Sequence, residues 1–86
     1  MTHPVDLNTE KAVRRFMAKL PGRFGLEGVI LFGSRARGTH DANSDADLAI
    51  LLNGNPQPVL KTSLDLADLA FDVLLETGIN ITPIPV

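Results

Sequence analysis

Eighty-six residues suffice for one small domain, and a single domain over residues 1–86 is the expectation. A net charge of −2, from 8 basic and 10 acidic residues, gives no electrostatic footprint for strong nucleic-acid binding or for an anionic membrane. Without cysteine there is no disulfide framework, thiolate nucleophile or Cys-ligated zinc, and the two histidines, His3 and His40, are too far apart in sequence to suggest a His-based metal site.

The chain opens Met-Thr-His-Pro-Val-Asp, which lacks the basic start and apolar run of a signal peptide. No apolar stretch approaches the roughly 20 residues needed to cross a bilayer, so no membrane association and a cytoplasmic location are expected. Asn8 or Thr9 is placed to cap a first helix over Thr9 to Leu20, with Glu10 in its opening turn. Val13, Phe16, Met17 and Leu20 recur at helical spacing as the buried face; Lys11, Arg14, Arg15 and Lys19 form a solvated basic face. Pro21-Gly22 stops the helix.

Gly28 to Phe32 is a continuous apolar run that reads as a strand buried on both faces. Gly33 to Asn43 is polar and rich in turn formers, a loop with room for one helical turn. Asp47 to Leu52 is a second apolar strand, and Asn53-Gly54-Asn55-Pro56 a turn. A long helix follows from about Pro58 to Thr77, with Leu60, Leu64, Ala67, Phe71 and Leu74 as its stripe and Asp65, Asp68, Asp72 and Glu76 on a solvated face. Gly78 ends it. Ile79 to Thr82 alternates as a third strand, closed by Pro83 and Pro85. Phe16, Phe32 and Phe71 are assigned to the core, and the Ile84-Pro85-Val86 ending reads as mid-strand, which suggests that the natural chain continues. The order helix, strand, loop with a helical turn, strand, helix, strand implies an α/β (α+β) fold, a small mixed sheet flanked by helices.

Two linked motifs carry chemistry. Gly33-Ser34 follows directly on a strand: glycine lets main-chain N–H groups approach a ligand, and the Ser34 hydroxyl can donate to a phosphate oxygen. Asp45 and Asp47 lie at i and i+2, so on a strand both carboxylates share a face. Like charges so placed repel unless a cation stands between them, and a hard divalent ion completed by substrate phosphates fits that need. Asp47 also opens an apolar run, which a solvated acidic loop does not require. Arg35 and Arg37 are candidate phosphate clamps through bidentate guanidinium contacts. His40 is read as incidental.

Gly-Ser, then positions 35 to 44, then Asp-x-Asp resembles the signature of the DNA polymerase beta-like nucleotidyltransferase superfamily. The fuller text, Leu31 to Gly38 and Ser44 to Ile50, is similar to its minimal nucleotidyltransferase branch. So is Leu74-Leu75-Glu76-Thr77-Gly78 with the apolar strand after it. The resemblance implies a polymerase beta-like fold, with Gly33 and Ser34 on the triphosphate and Asp45 and Asp47 as catalytic residues holding Mg²⁺. It implies transfer of AMP from ATP to a hydroxyl, with release of pyrophosphate. Short members of this branch act as antitoxins beside a helical toxin of the higher eukaryotes and prokaryotes nucleotide-binding (HEPN) class, so such a toxin is the implied partner and the acceptor, most readily through a tyrosine. An oligomer is compatible with this reading.

One departure stands out. Members of the superfamily usually carry a third carboxylate on a later strand, and Ile79-Asn80-Ile81-Thr82 has none. Asn80 and Thr82 offer only neutral oxygens, and neither takes a proton at neutral pH. A second reading therefore stays open: a catalytically weak or inactive antitoxin of the same fold that neutralises its partner by binding.

Overall fold

The computed structural model describes residues 5–20, 26–52 and 59–86. Within them the order is α1 (Leu7–Lys19), β1 (Leu26–Phe32), α2 (Ser34–Arg37), β2 (Ala46–Leu52), α3 (Val59–Thr77) and β3 (Ile81–Pro85). The expected Pro21-Gly22 stop and the turn at Asn53 to Pro56 lie outside the described residues.

The helix α1 starts two residues earlier than the sequence suggests, because Asp6 and not Asn8 or Thr9 is its cap. The Asp6 carboxylate accepts from the Thr9 N–H at 3.3 Å, which satisfies one of the orphan donors of the first turn. Thr9 is instead fully buried, with Ala12 and Phe16 beside it, while Met17 turns outward at 43% exposure. Arg15 and Lys19 reach Glu76 of α3 at 3.3 and 2.8 Å, an exposed clasp between the two helices. The Lys19 hydrogen bond, ahead of Arg15, holds the Glu76 carboxyl below its ordinary range.

The strands form a mixed sheet in the order β1-β2-β3. β1 and β2 are antiparallel, with Phe32 opposite Asp47 and Ile30 opposite Ala49. β2 and β3 are parallel, with Asp47 beside Thr82 and Ala49 beside Ile84. A parallel pair needs a long crossover, which α3 supplies. Ala46, Leu48 and Ile50 of β2 are buried with Phe16, Leu66, Val73 and Ile81, so α1 and α3 cover one face of the sheet.

The other face is open, and this corrects the reading of β1 as buried on both sides. Ile30 is 53% and Phe32 39% exposed. A strand alternates its side chains, and with α1 and α3 packed on one side, every second described residue of β1 turns to solvent. Pro83 lies inside β3, and Pro85 is its last residue. Asn80 O accepts from Ala46 N–H and Val86 N–H donates to Ile50 O, so residues of even number face β2. The two prolines direct their nitrogens to the sheet edge, where no donor is required.

The stripe assigned to α3 is also corrected. Thr62, Leu66, Ala70 and Val73 are buried; Leu64, Phe71 and Leu75 are 58%, 57% and 69% exposed. The helix is apolar around most of its circumference, so a period of 3.6 fits two stripes equally. The packed one carries the smaller Thr62, Ala70 and Val73, which let the helix lie close to the sheet and to α1. Phe71 and Phe32 are therefore surface residues, and among the described residues Phe16 is the core phenylalanine. Leu66→Ala is expected to cost about 2–5 kcal/mol in chemical denaturation and Phe71→Ala less than about 1 kcal/mol. The reverse ranking would restore the other stripe.

Candidate active site

β1 ends opposite Asp47, so the chain must turn away immediately beyond it. Gly33 makes that turn with φ 79° and ψ −158°, a region essentially reserved for glycine. It also has no room for a side chain, since a Cβ there would run into Oδ2 of Asp47. α2 then forms one turn, closed by Arg37 N–H donating to Gly33 O at 3.1 Å and by Gly38 in the left-handed region donating to Ser34 O. Ser34 is half-buried at the head of this turn.

Asp45 stands just before β2, exposed, and Asp47 is its second residue, half-buried. Ala46 between them faces the core at 0% exposure, so both carboxylates share the open face of the sheet. The Thr82 Oγ1 donates to Asp45 Oδ2 at 3.3 Å, and Thr82 is also the strand neighbour of Asp47. Thr82 is thus the β3 residue beside the pair, while Asn80 contributes its main-chain oxygen to Ala46. Among the described residues neither Asp45 nor Asp47 has a basic side chain in ion-pair contact. No group of three His, Cys, Asp or Glu that could hold a metal ion occurs among those residues either. Two carboxylates and a hydroxyl on an open face, with the Gly33 backbone close against one of the carboxylates, suit a hard cation that takes its remaining oxygens from a substrate.

The two arginines separate. Arg37 is exposed, and its side chain forms no hydrogen bond among the described residues. Arg35 is only 3% exposed, and its guanidinium points into the protein. It donates to Ser44 O at 2.8 Å, Thr9 Oγ1 at 2.7 Å, and Asp41 O and Ala42 O at 3.4 and 3.5 Å. Its clamp role does not fit this geometry, because the N–H groups a phosphate would need are turned inward. The structure sets Gly33 against Asp47 with Ser34 next in the chain and Asp45 on the same face of the sheet, leaves Arg37 exposed at the end of the short helix, and turns Arg35 inward.

Three polar residues that were not singled out for the site join Arg35. Thr9 Oγ1 donates to Asp6 Oδ1 at 2.6 Å, and His40 Nε2 lies 3.1 Å from the same oxygen. His40 Nδ1 is buried with no partner among the described residues. The Thr9 hydroxyl, with smaller help from its N–H, His40 and Arg35, holds the Asp6 carboxyl below its ordinary value of 3.8 despite some desolvation. With the folded value depressed, the stability this cap adds is present above about pH 4 and is lost as pH falls further. An aspartate three residues before a threonine at a helix start was the available signal.

The sequence pattern of the nucleotidyltransferase domain matches residues 10–82, and the chain belongs to that family. Its mixed three-stranded sheet with helices on one face is the polymerase beta-like nucleotidyltransferase fold. The chain is similar to two proteins of Methanocaldococcus jannaschii. It is 38% identical over 71 residues to "Putative protein adenylyltransferase MJ1305", across 80% of this chain and 48% of that one. It is 42% identical over 59 residues to "Putative protein adenylyltransferase MJ0141", across 69% and 58%. The chain thus spans about half the length of these curated relatives. No helix among the described residues is long and apolar enough to cross a membrane.

Gly33→Ala should cost more than about 1–3 kcal/mol, since backbone strain adds to the collision with Asp47. Thermal melts would check this, and a variant as stable as the parent would contradict the tight approach.

Proposed function

We propose that the chain transfers a nucleoside monophosphate, AMP from ATP, to a hydroxyl of a partner protein, and that it acts as the antitoxin of a HEPN-type toxin. The observation that carries the transfer is the convergence of Asp45 and Asp47 on one open face against the Gly33 turn. The names of the two archaeal relatives support a protein acceptor, and the motif resemblance to the minimal branch supports the toxin as that acceptor.

Ser34 Oγ and the main chain around Gly33 bind phosphate oxygens, and Arg37 swings its guanidinium onto the same phosphates. Asp45 and Asp47 would hold Mg²⁺. When bound, Mg²⁺ neutralises phosphate charge and increases the electrophilicity of the phosphorus under attack. The acceptor hydroxyl oxygen bonds to the α-phosphorus, the bond to the β-phosphate oxygen breaks, and pyrophosphate leaves. Thr82 keeps Asp45 turned toward this centre by its hydrogen bond. No third carboxylate joins the pair among the described residues, so the acceptor proton passes to solvent or to a phosphate oxygen.

A specific observation favours a second reading, neutralisation by binding alone: the β3 neighbour of Asp47 is threonine, which is no general base. Labelled ATP, Mg²⁺ and the candidate toxin decide between them. Transfer is expected to fall at least about 100-fold in Asp45→Asn and in Asp47→Asn, the scale of losing one electrostatic stabiliser of the developing charge. Neutralisation without label, equally strong in both variants, would establish the binding reading.

A further inference from the structure

We propose that Arg35 is a positioning residue that, with Thr9 and Asp6, sets where Asp45 stands by tying the turn before it to the first helix. The inference rests on the reading of Asp45 and Asp47 as a cation-binding pair.

Among the described residues four acceptors surround the buried guanidinium, and all are neutral: three main-chain oxygens and one hydroxyl. A buried cation without a carboxylate in direct contact is expensive unless its charge is answered close by. The Thr9 hydroxyl gives that answer as a relay. It accepts from Arg35 Nη1 at 2.7 Å and donates to Asp6 Oδ1 at 2.6 Å, so each bond polarises the other. Asp6 is in turn fixed as the cap of α1. The cation is therefore anchored to a helix that contributes no residue to the acids themselves.

The shortest bond from Arg35 to the main chain ends on Ser44 O at 2.8 Å. That carbonyl shares a planar peptide with the nitrogen of Asp45, so fixing its direction fixes the entry of Asp45 into the strand. From the other side Ala46 N–H is held by Asn80 O at 2.9 Å, and the carboxylate is held by Thr82. Asp45 lies outside the ladder, between two clamps, and Arg35 is the one on its N-terminal side. The further bonds to Asp41 O and Ala42 O catch the turn that Asp41 and Ser44 close on themselves. A lysine at position 35 keeps the charge but, having a point-like head, cannot span Thr9, Ser44 and Asp41 together.

Binding of Mn²⁺ alone, read by the free-ion electron paramagnetic resonance signal, tests this beside the KM for ATP and the melting temperature. Arg35→Lys and Thr9→Val are expected to weaken Mn²⁺ about tenfold, the usual scale for a partner behind a metal ligand, at temperatures where each variant is folded. Thr9→Ser, which keeps the hydroxyl, should restore it. Arg37→Lys should raise the KM for ATP and leave Mn²⁺ affinity unchanged. A phosphate-gripping Arg35 would give the Arg37 result, with Thr9→Val silent; a purely structural one would lower only the melting temperature. Either overturns the proposal. If Arg35→Lys does not fold, Thr9→Val and Thr9→Ser decide alone. Unchanged Mn²⁺ affinity in Asp45→Asn would instead remove the cation-site reading beneath it.

Discussion

The close approach of Gly33 to the Asp47 carboxylate is the constraint around which the site is organised. It follows from the register of β1 and β2, which sets Phe32 opposite Asp47 and leaves the next residue to turn within reach of that carboxylate. Only glycine can take both the dihedral angles and the space. Once the chain turns there, Ser34 heads a short helical turn beside the acids, and the alternation of β2 places Asp45 on their side. The turn proposed to bind phosphate and the pair proposed to bind a cation are thus two consequences of one register.

The helices contribute to this indirectly. By covering a single face, α1 and α3 leave the other free for the acids and for whatever they act on, with Ile30, Phe32 and Ile84 as the apolar part of that surface. The first helix also reaches across through Thr9 to Arg35, so the core and the site share one buried polar connection. The belt of Asp6, Thr9, Arg35 and Ser44 runs from the cap of α1 to the turn before Asp45 through bonds of 2.6, 2.7 and 2.8 Å.

Much of this was legible in the residues. The two motifs lie on strand ends as their types and spacing require, and the order of elements and the mixed sheet follow from local patterns. Faces were less legible than elements. β1 has the composition of a strand covered twice, and nothing local says that helices lie on one side only. α3 carries two apolar stripes, and period alone does not choose between Leu66 and Phe71. Arg35 and Arg37 are identical in chemistry and two residues apart, so their opposite fates depend on the direction of a four-residue helix. The buried threonine on α1 that receives Arg35 lies 26 positions away from it, beyond any local pattern.

The most direct measurement is a crystal structure with Mn²⁺ and a non-hydrolysable ATP analogue, read by anomalous scattering. The expected peak lies between Asp45 and Asp47, with the triphosphate against Gly33 and Ser34 and the guanidinium of Arg35 still on Ser44. An ordered nucleotide seated elsewhere, or a peak on other carboxylates such as Asp41 or Asp65, would contradict the assignment of this open face as the site of nucleotidyl transfer.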